Sequence, residues 1–370
     1  MNELNHHQQN VNLNVSTAAL LRNKFLAFGK NAIDLLPLDL SSFSPFPAKP
    51  RQRTFQSLAQ PQDTAVLIQE VERLPLEQRL FNNADYAVFY AKAWQMPHLM
   101  DEIGRLREMT FRKVGEGTGK TRDVDIFDTY YEQLFVWHKA NQEIVGAYRM
   151  GKTDDILKAF GKRGLYTHTL FKFKKSLFQR MSPALELGRS FVQPEYQKTP
   201  FALFLLWKGI GQYLLRHPQY KILFGPVSIS NDYSMLSRQL IVEYLKENCY
   251  AMEFARLVKP RNPFPLKSVK PWHSITANPI FKSLEELSSF IAGIESNHQG
   301  VPVLLKQYLK LGARVMSFNV DEDFCDSLDG LIVVDLMTAD RRMLEKLMGE
   351  ECVTVFFSEH PKREVTSVFC

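Results

Sequence analysis

Apolar residues at 99, 103, 106 and 110, the last a threonine, recur at helical spacing behind Pro97. They predict a helix over residues 97–114 with Leu99, Ile103, Leu106 and Thr110 on one face. Period-two alternation predicts strands over 86–93, 134–138 and 144–150, the last two joined by a turn at Ala140-Asn141-Gln142. Further along, the pattern predicts a strand over 184–192, a helix over 200–216, a strand over 220–228 and a helix over 234–248. Beyond Pro260 the chain is punctuated by proline. It then predicts helices over 284–295 and 302–311, a strand over 330–335 and a last helix over 339–348. Strands and helices alternate only in part and no internal repeat is present. The expected fold is therefore α/β, a mixed central sheet with helices on both faces.

Upstream of this body the pattern breaks down. Residues 1–14 are rich in Asn, Gln and His and read as disordered. A helix is expected over 17–36, and the prolines of 41–50 read as a linker. Another helix is expected over 64–70, with the folded body beginning near Ala65. The expected organisation is an extension and linker over 1–64, a core over 65–260 and a C-terminal extension over 261–370 packed on the core.

One predicted strand is chemically unusual. Leu185-Glu186-Leu187-Gly188-Arg189-Ser190-Phe191-Val192 carries a carboxylate and a guanidinium three positions apart. A charge in a buried strand must be paired or must do chemistry, because burying it alone is costly. Positions i and i+3 face opposite ways in a regular strand, so a direct pair requires a bulge, to which Gly188 is suited. Glu186 and Arg189 thus read either as a structural ion pair or as catalytic groups.

Charge adds a second feature. The net charge is +6 and the pI about 9.0. No acidic residue occurs over 156–185, which holds Lys158, Lys162, Arg163, Lys172, Lys174, Lys175 and Arg180 among Phe160, Tyr166, Phe171, Phe173 and Phe178. A second acid-free stretch over 254–284 holds Arg256, Lys259, Arg261, Lys267, Lys270 and Lys282. Either run alone reads as a solvated face. Together they point to an anionic partner, an acidic protein or an anionic membrane surface rather than nucleic acid, for which no module is present.

Several chemistries are disfavoured. Gly115-Glu116-Gly117-Thr118-Gly119-Lys120-Thr121 is similar to a phosphate-binding loop, but the required first glycine is replaced by Val114 and the loop follows a helix. It reads as a glycine-rich helix exit able to close over substrate. No Gly-x-Ser-x-Gly elbow and no His-x4-Asp pair occurs. Cys249, Cys325, Cys352 and Cys370 show no metal or disulfide spacing, which suits a reducing compartment. The N-terminus has no apolar signal region and the run over 201–207 is too short to span a bilayer, so the expected location is cytoplasmic, with at most peripheral membrane contact.

The Glu-Leu-Gly-Arg-Ser strand, set after a hairpin and before a long helix, resembles the GNAT superfamily. More narrowly the chain resembles the ornithine-lipid N-acyltransferases, bacterial enzymes once labelled hemolysin-like. The matching pieces run from Ile103 to Arg112, over the loop 115–119, Val145 to Arg149, Leu185 to Val192, Leu206 to Gly211, Gly225 to Ser230 and Asp329 to Asp335. The Glu-Leu-x-Arg strand is also similar to that of acyl-homoserine-lactone synthases. In related bifunctional proteins an O-acyltransferase domain precedes this one; the resemblance here implies the N-acylation step alone.

The resemblance implies an acyl group carried on the phosphopantetheine of acyl carrier protein, a 3-hydroxyacyl group in the family, and transfer to the α-amine of an amino acid, foremost ornithine. No separate cofactor and no metal is expected. The region 193–202 lacks the glycines with which coenzyme A users grip pyrophosphate, in keeping with a carrier-bound donor. Glu186 is the expected base, directly or through water, with Arg189 orienting it or holding the acceptor's carboxylate. Arg107 and Arg149 are alternatives for that carboxylate. Ser190, Ser228 and Ser230 are expected to position amine or thioester, and Glu116 a distal ammonium. Lys162, Arg163, Lys172, Lys174 and Lys175 are expected to dock the carrier, and phenylalanines over 171–204 either line an acyl tunnel or form core. The alternative functions are synthesis of another N-acyl amino acid, acyl-glycine or an acyl-homoserine-type signal, and a non-catalytic adaptor for carrier protein or membrane.

Overall fold

The structure, a computed structural model, describes residues 54–266 and 281–360. The expected helix over 17–36 and linker over 41–50 lie outside the described residues, as do Lys267, Lys270 and Cys370. Among the described residues ten strands form: β1 (Arg79–Asn82), β2 (Tyr86–Lys92), β3 (Glu132–His138), β4 (Glu143–Lys152), β5 (Phe171–Phe173), β6 (Ala184–Val192), β7 (Ile222–Ile229), β8 (Val258–Pro260), β9 (Arg314–Asp321) and β10 (Ser327–Asp335). Eight of them make one sheet in the order β1-β2-β3-β4-β6-β7-β10-β9. Every neighbouring pair is antiparallel except β6 with β7. Strands β5 and β8 pair separately.

The helices used below are α1 (Thr64–Arg73), α2 (Pro97–Lys113), α3 (Thr153–Phe160), α4 (Lys175–Met181), α5 (Phe201–Arg216), α6 (Met235–Asn248), α7 (Leu284–Ile294), α8 (Val303–Lys310), α9 (Arg341–Met348) and α10 (Glu350–Ser358). Pro97 opens α2, and Leu99, Ile103, Leu106 and Thr110 are all buried, as their spacing requires. They pack with Phe89, Phe135 and Trp137 on one sheet face. On the other face Leu205, Leu206 and Ile210 of α5 and Leu240 and Ile241 of α6 pack against Leu185, Leu187, Leu223 and Val227. Each such fully buried side chain contributes about 1.5–3 kcal/mol. The mixed sheet with helices on both faces is therefore present. It runs on across residue 260, because β10 pairs with β7 from Leu328↔Ile229 to Asp335↔Ile222.

The expectations missed β1, β9, the small β5–β8 sheet and the helices α3, α4 and α10. Three phenylalanines of the basic stretch are core: Phe171, Phe173 and Phe178 pack beside Leu165, Leu177 and Val258, whereas Phe160 is exposed. The packing explains why these rings accompany so many cations. The segment 165–181 covers the sheet with its rings and turns its charges outward.

Candidate active site

The parallel pair β6–β7 is short. It joins Ala184–Glu186 to Ile222–Phe224, and then the strands part. Where they are still together the fit is tight: a Cβ on Gly225 would lie 1.9 Å from the Leu187 carbonyl oxygen, so only glycine passes there. Beyond it opens a cavity of about 920 Å³, walled by residues 187–192 of β6 and by Pro226, Val227, Ser228 and Ser230. Among the described residues that edge of β6 has no strand partner past Glu186, so its backbone polar groups face the opening.

A bulge shapes the β6 wall. Ala147 pairs with Phe191 and Arg149 with Gly188, so Arg189 and Ser190 together oppose Tyr148. Arg189 sits at φ 47, left-handed, which for a non-glycine residue is strained. The kink breaks the alternation of faces and brings the guanidinium beside Asp123 (Nε to Oδ2 3.2 Å) and Asp125 (3.8 Å). The rings of Tyr166 and Phe324 each lie 4.8 Å from it. The bulge anticipated around Gly188 is real, but it does not join Glu186 to Arg189.

Glu186 is corrected by its surroundings. It is 1% exposed and does not line the cavity. One carboxyl oxygen accepts the Tyr131 hydroxyl, and the other accepts the Thr167 backbone N–H at 2.6 Å. The Tyr131 hydroxyl in turn accepts the Tyr166 N–H at 2.9 Å. Glu186 thus anchors the segment whose Tyr166 ring meets Arg189. Burial raises its pKa, only partly offset by these hydrogen bonds. Such a carboxyl favours folding while protonated and opposes it as pH rises and it ionises. Glu186→Gln is expected to keep turnover within about tenfold. Glu186→Ala should cost about 1–3 kcal/mol for each donor left unpaired. Turnover and thermal melting check both, and a thousandfold loss in a Gln variant of normal stability would restore Glu186 as base.

Arg107 and Arg149 are likewise removed from substrate. Arg107 is fully buried, donates twice to Asp128 (3.0 and 2.9 Å) and reaches the Asp123 carbonyl. Arg149 bonds Asp125 at 2.6 Å and stands over the rings of Phe127, Tyr131 and Tyr166. Neither lines the cavity. Their charges are consumed in a buried network with Asp123, Asp125 and Asp128 that holds Arg189.

Glu116 does line the cavity, and the end of α2 puts it there. Gly115, at φ 73, donates to Arg112 O, and Glu116 N–H donates to Phe111 O at 2.8 Å, a Schellman turn. The rest of the loop is an anion cradle already filled from inside. The Glu108 carboxylate accepts Thr118 N–H, the Thr118 hydroxyl (2.6 Å) and Gly119 N–H. No room is left for a phosphate, which settles the loop's likeness to a P-loop. Burial pushes the Glu116 pKa up to about 7. The Ser228 hydroxyl, donating at 2.7 Å, opposes the rise, and Asp232 adds to it.

Two further carboxyls, missed in the sequence, share this end. Asp321 closes β9 and Asp329 lies on β10, directly across from Ser228. Both line the cavity; Asp329 is only 4% exposed. Burial first, then Asp321 and Glu116, raise the Asp329 pKa well above the usual range, and that of Asp321 is raised too. Their signal was available: Phe318 and Val320 alternate with Ser317, Asn319 and Asp321, a half-polar strand.

The same cavity is also lined by apolar side chains. Leu187, Leu203, Leu206, Val227, Val301, Leu304 and Tyr308 line it, and of the phenylalanines over 171–204 only Phe191 does. Ser190 and Ser230 line the cavity as well. Lys113, Lys198 and Lys306 are its lysines, whereas Lys162, Arg163, Lys172, Lys174 and Lys175 do not line it. Lys162 donates instead to the Phe173 carbonyl at 2.7 Å. Among the described residues no group of His, Cys, Asp or Glu is arranged to hold a metal ion. No described helix is long and apolar enough to cross a membrane.

Residues 106–208 match the family model described as Acetyltransferase (GNAT) domain. A glycine N(alpha)-acyltransferase of Bacteroides thetaiotaomicron is 31% identical over 76% of this chain and 86% of its own. The chain belongs to the GNAT acyltransferases related to the glycine and ornithine N(alpha)-acyltransferases. An L-ornithine N(alpha)-acyltransferase of Brucella abortus is 26% identical over 73% of this chain and 87% of its own. The solved CoA-dependent acyl-homoserine lactone synthase MesI shares 10% identity at a TM-score of 0.34, over 71% of this chain and 95% of its own. In this acyltransferase the cavity opens where β6 and β7 part. Its acidic end draws on β9 and β10, which lie beyond the matched residues.

Proposed function

We propose that this acyltransferase moves a fatty acyl group from a carrier-bound thioester to the α-amine of an amino acid, glycine foremost. The observation that carries the reading is a cavity at the β6–β7 fork lined both by apolar side chains and by ionisable ones. The apolar part of the lining takes an acyl chain, each buried methylene contributing about 0.8 kcal/mol. The ionisable part sets one guanidinium, Arg189, beside the carboxyls of Glu116, Asp321 and Asp329. Arg189 already faces Asp123 and Asp125, so this part holds a surplus of carboxyls. An entering ammonium relieves it, and the free edge of Arg189 meets a carboxylate.

The chemistry follows from the fork. Glu116 takes a proton from the α-ammonium, and the neutral amine attacks the thioester carbonyl. The C–N bond forms, the C–S bond breaks and the carrier thiol leaves with a proton. Unpaired N–H groups on the β6 wall are suited to the oxyanion. Ser228 holds Glu116, while Ser190 stands by the Tyr148 hydroxyl. The lysines Lys113, Lys198 and Lys306 favour a phosphate-bearing donor arm, and a glycine-free approach to α5 favours carrier protein over coenzyme A.

Glycine is favoured because the glycine N(alpha)-acyltransferase of Bacteroides thetaiotaomicron is more similar to this chain than the L-ornithine N(alpha)-acyltransferase of Brucella abortus. Ornithine is the second reading, favoured by the surplus of carboxyls, which suits a distal ammonium. An in vitro panel tests both: acyl carrier protein and coenzyme A thioesters against glycine, ornithine, lysine, serine and homoserine derivatives. Glycine is expected to give the highest kcat/KM with the carrier-bound donor. Amide formation with none of the amino acids would overturn the reading.

A further inference from the structure

The two acid-free stretches of the sequence, some eighty residues apart, meet in the fold. Strands β5 and β8 pair antiparallel with Lys172 directly across from Lys259, Phe171 from Pro260 and Phe173 from Val258. Alternation sorts the side chains. Phe171, Phe173 and Val258 point inward and are buried. Lys172 and Lys259 point outward, and two residues on, Lys174 and Arg261 continue that side; all four are exposed. Among the described residues no ion pair joins any of these four cations to a carboxylate. Like charges directly opposite on a sheet are unfavourable, so the isolated protein carries this face at a cost.

The face also stands apart from catalysis. None of the four cations lines the cavity. Tyr166, just upstream of β5, belongs to the acidic end, where a phosphopantetheine phosphate would meet Glu116, Asp321 and Asp329. Carrier protein is therefore better received at Lys198 and Lys306. Two exposed apolar side chains stand in the segments leading into the strands: Phe160 at the end of α3, 54% exposed, and Met252 before β8, 71% exposed. Exposed cations on a two-stranded sheet, together with apolar side chains held in water, match the chemistry of an anionic lipid surface.

We infer that the β5–β8 face seats the enzyme on an anionic bilayer. The choice of occupant rests in part on the proposed function, since an N-acyl amino acid is an amphiphile that partitions into lipid. The attraction is multivalent and unspecific. It is largely lost at high salt, where the Debye length shrinks from about 8 Å to about 3 Å.

The test is co-sedimentation of the full chain with vesicles of phosphatidylglycerol and phosphatidylcholine, against vesicles of phosphatidylcholine alone. Binding is expected only to the anionic vesicles. Each neutralised cation should weaken it about fivefold, so Lys172→Gln with Lys259→Gln should weaken it about 25-fold. Lys172→Glu alone offers a second readout. It replaces a cross-strand repulsion by an attraction, so the melting temperature should rise while vesicle affinity falls. Transfer from a soluble donor to a soluble acceptor should be unchanged in these variants. Vesicle binding that is absent, or untouched by the substitutions, overturns the inference. So does carrier-protein affinity that falls with these cations while vesicle binding stays, because the face then docks a protein. Sedimentation needs no turnover, so failure of the proposed reaction is read separately in the amino-acid panel.

Discussion

Replacing Glu116 by glutamine is expected to lower kcat by about 10²–10⁴, the usual contribution of a positioned proton acceptor. The carboxyl sits at the cavity wall on the Ser228 hydroxyl, and burial, with help from Asp232 and Asp321, lifts its pKa to about 7. The base is the ionised form, so the rate of the natural enzyme should climb with pH through about 7. In the variant that limb should vanish, while KM for the acyl donor stays. Stability should move the other way. A carboxyl raised from 4.5 to about 7 favours folding only while protonated and opposes it increasingly as pH rises between those values. Removing the charge should therefore stabilise the fold at pH 8, by at most about 3 kcal/mol. Loss of rate with gain of stability marks a group held in an unfavourable state for its chemistry. Glu116→Gln with a full rate and an unchanged pH profile would remove Glu116 from the reaction.

The sequence made the scaffold legible because its signals are local. Pro97 and the spacing of Leu99, Ile103 and Leu106 specify α2 without reference to anything else. The chemistry was only half legible, because it depends on where one residue bends. A carboxylate and a guanidinium in one strand announced an unusual strand, and the bulge was foreseeable from their spacing. What spacing cannot show is that Arg189, not Gly188, takes the left-handed conformation, or that Tyr131 and Thr167, 55 and 19 residues away, claim Glu186. Asp321 and Asp329 were missed for a different reason. They become a site only when β10 docks on β7, bringing Asp329 across from Ser228 and toward Glu116, more than 200 residues earlier. The basic stretches were read as one property of the chain, whereas register turns Lys172 and Lys259 into a pair.

Asp128→Ala is expected to be the most destabilising single change in the site, at about 3–5 kcal/mol, measured by chemical denaturation. Asp128 is the hinge of the buried charges. Its carboxylate accepts two hydrogen bonds from Arg107, one from Gln133 and one from the Asp125 N–H, and lies 3.3 Å from Arg149. Burial alone would raise its pKa, but Arg107 and Arg149 outweigh burial and hold it far below the ordinary range. The depressed value makes this a stabilising group above the unfolded pKa of about 4, with the contribution lost as acid titrates the folded form. Asparagine keeps the shape without the charge and should fall between wild type and alanine. Alanine leaves Arg107 the Asp123 carbonyl and the more distant Asp123 carboxylate (3.5 Å), and leaves Arg149 one carboxylate, Asp125, which also faces Arg189. With that aspartate drawn toward Arg149, the hold on Arg189 weakens. KM for the amino acid should then rise while KM for the acyl thioester changes little. An unfolding free energy within about 1 kcal/mol of wild type would mean the two arginines find water instead, and the buried network would not be what positions Arg189.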